Sequence, residues 1–81
     1  SFMDYGMFIQ SIMLSAVEKG LATCPQAALG EYPDIVRQEF PEYKDKMVLC
    51  GLALGYEDKG QIVNSYRTPR EDISRFVRYY N

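Results

Sequence analysis

Polar side chains form only a narrow stripe along the first helix that the sequence predicts, over residues 4–19. On a wheel drawn at 3.6 residues per turn, this stripe consists of Asp4, Ser11, Ser15 and Glu18. A helix on a protein surface normally has a wider polar face. The pattern therefore predicts a helix buried on most sides, either at the centre of a domain or in a core shared between subunits. Gly20 is expected to end it in the left-handed conformation.

Shorter elements follow the first helix. We expect residues 21–30 to form a loop or turn with a short helical start, because Pro25 fixes its own φ and favours an extended Cys24. Pro33 is well placed at the first position of a short helix that ends near Glu39.

The nearly continuous apolar run at residues 47–56 has neither a helical polar stripe nor clean alternation, which favours a strand buried on both faces. Periodicity alone also allows a short helix there, although Gly51 and Gly55 would each weaken one by roughly 1 kcal/mol. A polar loop is expected over residues 57–65.

An amphipathic helix is predicted for the end of the chain. Thr68 would be its N-cap, Pro69 its first residue, and Glu71 would complete a capping box. The apolar residues that recur at helical spacing after this start are Ile73, Phe76, Val77 and Tyr80.

The composition shows more apolar residues than a chain of this length can bury in its own interior. Of 81 residues, 47% are hydrophobic and 14% aromatic, whereas a domain of this size buries only about 60–65% of its unfolded surface. The excess predicts a covering surface, supplied by more of the same polypeptide or by a second subunit.

Charge and residue types exclude several functions. The net charge is −2 and no basic tract interleaves with aromatic residues, which argues against nucleic-acid binding. No apolar run is long enough to span a bilayer and no signal-peptide pattern is present, so we expect a cytoplasmic protein without a membrane partner.

The sequence contains no histidine, which excludes Ser-His-Asp and Cys-His catalysis, and Cys24 and Cys50 alone cannot form a four-ligand zinc site. We interpret these cysteines as thiols buried in the core; a disulfide between them is the less favoured alternative.

One candidate anion site lies before the predicted last helix. Arg67 stands just ahead of its start and Arg70 lies in its first turn. Helix N–H groups and a guanidinium together can bind a phosphate. Arginines at such positions are more often solvated surface residues, so the residues alone do not decide between these readings.

Four segments, taken in order, resemble the C-terminal part of the nitroreductase family of flavin enzymes. They are residues 4–14, 20–27, 48–56 and 64–70. Together they cover nearly the whole chain, and the Thr23-Cys24-Pro25-Gln26 form is most similar to members that act on nitroaromatic compounds. The resemblance implies that residues 1–81 are the C-terminal part of a single nitroreductase-like domain whose N-terminal half is not included.

The family's properties then become expectations for this chain. The resemblance implies an α+β sandwich and an intertwined homodimer that holds FMN at its subunit interface. It implies transfer of hydride from NAD(P)H through the flavin to a nitroaromatic compound or a quinone. The cofactor-binding residues that it implies are Pro25, Gln26, Ala27 and Ala28 along the flavin ring, with the Ala27 N–H near the flavin N5 atom, and Arg67 at the FMN phosphate. It implies no catalytic side chain in this segment and no metal.

Two departures from the family pattern affect this site. Some relatives have a basic residue two positions before the phosphate-binding arginine, where this chain has Ser65. Some have Glu and Gly where this chain has Ala27 and Ala28, which leaves only a backbone role at these positions.

Two other functions compete with the flavin enzyme. The first is a non-catalytic interaction module that docks a partner through its apolar first helix. The second is a thiol redox protein that uses Cys24 and Cys50, which is weaker because neither cysteine lies in a Cys-x-x-Cys pair or beside a cluster of basic residues.

Overall fold

The computed structural model describes all residues from Ser1 to Asn81. They include helices, one pair of strands and irregular segments. In chain order the helices and strands are α1 (Phe2–Glu18), β1 (Ala22–Gln26), α2 (Ala28–Glu31), α3 (Pro33–Glu39) and β2 (Gly51–Gly55). Three short 3₁₀ turns lie at Pro41–Tyr43, Ile62–Asn64 and Ile73–Arg75. Helices packed beside an antiparallel strand pair make the chain α+β, as the sequence predicts.

Helix α1 is close to its predicted bounds and ends in the expected way. Gly20 has φ 75°, in the left-handed region. Its N–H donates to Val17 O at 3.0 Å, and the Leu21 N–H donates to Ala16 O at 2.9 Å. These two bonds are those of a Schellman motif, which satisfies carbonyl groups that the end of a helix leaves free.

The apolar surface of α1 is uncovered within these 81 residues. Ala16 is the one buried residue of the chain, at 6% exposure, whereas Phe2, Met3 and Phe8 are each more than 60% exposed. Strand β1 touches only part of the helix. The narrow polar stripe therefore corresponds to a helix whose remaining sides are available to another surface.

Strand β1 corrects the sequence prediction, which assigned residues 21–30 to a loop or turn. Residues 22–26 instead pair with β2 in antiparallel register, from Ala22 opposite Gly55 to Gln26 opposite Gly51. Pro25 is tolerated because a two-stranded sheet consists only of edges, where an amide that points outward needs no partner. The strand owes its conformation to this distant partner rather than to its own residues.

Strand β2 is shorter and less buried than predicted. It spans five residues, and residues 47–50 belong to no regular element. Gly51 and Leu52 are half-buried, while the last three residues of the strand are exposed. The prediction of a strand was right, but burial on both faces was wrong for this chain, because no layer covers the sheet here.

The prediction of a C-terminal helix was wrong, because residues 68–81 form no α-helix. Thr68 does not cap a helix, since its Oγ1 atom accepts a hydrogen bond from Arg70 Nη1 at 2.6 Å. The carboxylate of Asp72 caps the Ser74 N–H at 2.9 Å and starts only a 3₁₀ turn. The backbone hydrogen bond from Ser74, followed by the one from its hydroxyl group, lowers the pKa of Asp72. A short amphipathic segment with no surface for its apolar side does not sustain a helix.

The dimensions of the chain agree with the excess of apolar residues. Its accessible surface is 7815 Å², against about 5,000 Å² for a compact monomer of this mass. Its radius of gyration is 17.0 Å, against roughly 12 Å for a compact domain of this length. The chain therefore does not enclose a core of its own and has the shape of one layer of a larger structure.

Candidate functional site

The residues predicted to line a flavin ring lie where β1 ends and α2 begins. Pro25 and Gln26 close the strand, Ala27 precedes the helix, and Ala28 is its first residue. All four are exposed. Small and exposed residues at a chain corner let a flat ligand approach the backbone.

The backbone of Ala27 has one group engaged and one free. Its φ and ψ are −64° and −30°, and its carbonyl oxygen accepts the Gly30 N–H at 2.9 Å. The Ala27 N–H donates to no acceptor of the chain. It is therefore available to a ligand or to another polypeptide segment.

Close packing behind this corner holds it against the second strand. A Cβ atom on Gly30 would stand 2.5 Å from the Leu49 carbonyl oxygen, so only glycine fits this approach. A Cβ atom on Gly51 would overlap the Leu29 side chain, which crosses the strand there. Helix α2 is thereby fixed on β2, and the segment that precedes it is fixed with it.

Arg67 lies elsewhere, at a cavity of about 1050 Å³. The walls of this cavity are the second half of α1, the start of β1, the loop after β2 and the segment around Arg67. Arg67 Nη1 donates to Asn64 O at 3.0 Å and to Tyr66 O at 3.2 Å. Its Nε and Nη2 groups bond to no acceptor of the chain and remain available to an anion.

The structure corrects the predicted nature of this anion site. No helix follows Arg67, so no helix N-terminus contributes to it. Arg70 lines the same cavity, and its Nη1 group donates to Thr68 Oγ1 at 2.6 Å. Side chains, rather than a helix end, provide the positive charge.

Lys59 is a further cation at this cavity, which the sequence prediction missed. It joins Arg67 and Arg70, and the only carboxylate among the lining residues is Glu57. None of these four groups belongs to the ion pairs of the chain, which are Ser1–Asp4, Asp34–Arg37 and Glu71–Arg75. Positive charge therefore predominates there. Lys59 lies eight positions before Arg67 in a loop, and no local pattern marks it.

The predicted site residues fall at opposite ends of β1. The cavity of Arg67 includes Ala22 and Thr23 at the start of the strand, whereas residues 25–28 span its end and line no cavity. At about 3.3 Å per residue, Gln26 is roughly 13 Å along the strand from Ala22. The structure thus separates the predicted site residues into two regions along one strand and does not bring them into one pocket.

Other kinds of site leave few traces in the chain. No group of three or more His, Cys, Asp or Glu side chains is clustered to hold a metal ion. Both cysteines are free, with Cys24 exposed and Cys50 half-buried, so the expectation that both are buried thiols was wrong for Cys24. Neither the length nor the apolar character of any helix suffices to cross a membrane.

Comparison with known proteins gives consistent matches. A sequence model described as the nitroreductase family matches residues 1–56. The chain is 37% identical over 79 residues to a 4-nitrobenzoate reductase of Pseudomonas putida, covering 98% of this chain and 35% of that protein. It is equally similar to a chloronitrobenzene nitroreductase of Comamonas testosteroni, with the same coverage of both.

Solved structures agree with the sequence matches. The FMN-dependent nitroreductase NfnB from Mycobacterium smegmatis, solved in complex with NADPH, superposes with a TM-score of 0.90 at 37% identity, covering 96% of this chain and 35% of that one. The FMN and NADPH-dependent NfnB from sphigopyxis sp. strain HMH gives a TM-score of 0.90 at 36% identity, covering 99% and 36%. The chain thus spans about a third of the length of these relatives, and its α+β arrangement is that of the corresponding part of a nitroreductase fold. With its sequence and its fold in agreement, the chain belongs to the nitroreductase family.

Proposed function

We propose that this chain is the C-terminal part of an FMN-dependent oxidoreductase that transfers hydride from NAD(P)H to nitroaromatic compounds or quinones. The observation that carries the proposal is the pair of contact regions at the two ends of β1. One is cationic and centred on Arg67, and the other is an exposed corner of small residues with a free N–H at Ala27. FMN likewise has a dianionic phosphate at one end and a flat ring at the other.

The residues present fit this cofactor. Arg67 has a guanidinium edge without a protein acceptor, which suits a phosphate because charge-assisted hydrogen bonds to planar donors are strong and directional. Pro25, Ala27 and Ala28 have small side chains, which leave the backbone of this corner open to an aromatic ring lying along it. When bound, FMN supplies the hydride and electron transfer between NAD(P)H and the substrate.

The role proposed for each residue of this chain is binding and orientation. Arg67 would hold the phosphate, and the corner from Pro25 to Ala28 would form one wall of the ring site. The Ala27 N–H would donate a hydrogen bond near the flavin N5 atom, since its side chain has no donor. Packing of Leu29 over Gly51 would keep this wall in place.

The rest of the site would come from surfaces outside this chain. The uncovered side of α1 and the large accessible area support packing against the remainder of the domain and against a second subunit in a homodimer. We propose that this enzyme is cytoplasmic. We further propose nitroaromatic compounds as its main substrate class, because its relatives are named for the reduction of nitrobenzoate and chloronitrobenzene.

The experiment is a measurement of flavin binding by the enzyme that contains this chain. Its visible absorption spectrum should show bound flavin. Arg67→Ala should weaken FMN binding by about 1.5–3 kcal/mol, the range for a hydrogen bond to a charged group. Arg70→Ala should weaken it less, because the family resemblance assigns the phosphate contact to Arg67 and not to Arg70. Equal FMN affinity in wild type and Arg67→Ala would contradict the assignment.

A non-catalytic interaction module is the second candidate, and the exposed apolar surface of α1 favours it. The two functions differ in one observation. An interaction module would show no flavin absorption when purified with added FMN, and it would bind a partner through α1.

A further inference from the structure

Lys59 and Arg67 line the same cavity from different segments of the chain. The Lys59 ammonium group has no hydrogen bond or ion pair within the chain. We propose that Lys59 is the second cation that binds the cofactor phosphate, in place of the basic residue that Ser65 does not supply. This inference rests on the proposed function, because it assumes that an anionic cofactor enters this cavity.

The loop that carries Lys59 is shaped by its neighbour Asp58. Asp58 Oδ1 accepts the Gly60 N–H at 3.0 Å, and Asp58 Oδ2 accepts Gln61 Nε2 at 3.4 Å. This Asx-type turn consumes both carboxylate oxygens of Asp58. Asp58 is therefore engaged by its own loop and forms no ion pair with Lys59.

Asn64 connects this loop to Arg67. Its Nδ2 group donates to the Asp58 carbonyl oxygen at 2.8 Å, and its own carbonyl oxygen accepts Arg67 Nη1 at 3.0 Å. Asn64 is half-buried, in a region where most residues are exposed. Asn64 thus contacts the Lys59 loop through its side chain and the Arg67 guanidinium through its main-chain carbonyl oxygen. These two bonds connect the segments that bring both cations to one cavity, although eight positions separate them.

The charges at the cavity favour a dianion over a neutral ligand. Lys59 offers three donors and Arg67 offers its free Nε and Nη2 groups. The single carboxylate, Glu57, is unpaired and would repel an anion unless a nearby cation offsets it. Arg70 lines the same cavity and adds a third positive charge. Removal of Lys59 should therefore weaken phosphate binding specifically.

The test compares FMN with riboflavin, which lacks the phosphate, in the enzyme that contains this chain. Dissociation constants of both flavins would be measured by fluorescence quenching for wild type, Lys59→Gln, Lys59→Arg and Arg67→Ala. Lys44→Gln serves as the matched control, because Lys44 lines none of the cavities. We expect Lys59→Gln to weaken FMN binding roughly fivefold to tenfold, less than a buried contact because Lys59 is exposed. Riboflavin binding should not change, Lys59→Arg should retain most of the FMN affinity, and Lys44→Gln should resemble wild type.

The outcomes separate this inference from the proposed function. If Arg67→Ala lowers the preference for FMN over riboflavin but Lys59→Gln does not, the role of Lys59 is overturned and the proposed function stands. If Lys59→Gln raises the KM for NADPH and leaves FMN affinity unchanged, Lys59 serves the nucleotide and the inference is likewise overturned. If the wild-type enzyme binds neither flavin, the proposed function itself fails.

Discussion

Replacement of Ala27 by proline would remove one N–H group from the proposed flavin wall and little else. The φ of Ala27 is −64°, which is the value that proline imposes. The preceding residue, Gln26, lies in a strand and so has the extended conformation that proline requires before it. The Ala27 carbonyl oxygen, which accepts the Gly30 N–H, is retained, and the N–H that is lost has no acceptor in the chain.

These features set the expected magnitudes. Because the native backbone already suits proline, Ala27→Pro should leave the free energy of unfolding unchanged or raise it by about 0.4–1 kcal/mol. If the N–H donates to the flavin, its loss should cost about 0.5–1.5 kcal/mol of binding, or roughly twofold to twelvefold in affinity. Reduction of the flavin by NAD(P)H should slow as well, since a donor placed where charge develops stabilises the transition state.

The assay uses the complete enzyme, with Ala27→Ser as the control that keeps the N–H and adds little volume. Thermal unfolding, FMN affinity and stopped-flow reduction of the bound flavin would be measured for wild type and both variants. Ala27→Ser should behave like wild type in all three. If Ala27→Pro binds and reduces flavin as wild type does, this corner does not supply the contact. If it fails to fold, the argument from φ is wrong.

Three further predictions concern the association of the chain and the packing of two glycines. At micromolar concentration the 81-residue chain should sediment as a dimer or larger species, because most of α1 is uncovered; a monomer that binds no apolar dye would refute this. In the enzyme that contains this chain, followed by circular dichroism, Gly30→Ala should lower the midpoint of thermal unfolding, since overpacking costs about 1–3 kcal/mol. An unchanged or higher midpoint would show that the packing at Gly30 is misjudged. In the isolated chain, Gly6→Ala, where a Cβ atom meets nothing within 4 Å, should raise the helical signal in circular dichroism, because alanine stabilises a helix by up to ~1 kcal/mol relative to glycine.

The parts of the fold that depend on local chemistry could be predicted from the sequence. The narrow polar stripe and Gly20 define α1 and its end, and Pro33 marks the start of α3. Strand β1 could not be predicted in this way, because its residues become a strand only opposite β2. The prediction of a C-terminal helix was wrong for the opposite reason, since a good capping sequence does not form a helix without a surface to pack on.

The same distinction applies to the candidate site. The residues alone marked Arg67 as a candidate anion site, and the family resemblance assigned it to the FMN phosphate. The same resemblance assigned the corner at Pro25 to Ala28 to the flavin ring, and these roles remain predictions. Lys59 could not be found from the sequence, because its proximity to Arg67 depends on the hydrogen bonds of Asn64 across a loop. Contacts of this kind have no periodicity or spacing that a sequence reveals.

The pairing of β1 with β2 has a consequence for the order in which the site forms. Its innermost pair is Gln26 with Gly51, so residues 27–50 form the intervening loop. Closing a loop of about 24 residues costs an entropy equivalent to roughly 2.8 kcal/mol beyond the constant term, against ~0.6 kcal/mol for a two-residue hairpin. That cost must be met before the strand gains its hydrogen bonds, so pairing is expected late in folding, after the local turns of α1 and α3. The corner at Ala27 would therefore acquire its final shape only when β1 and β2 pair.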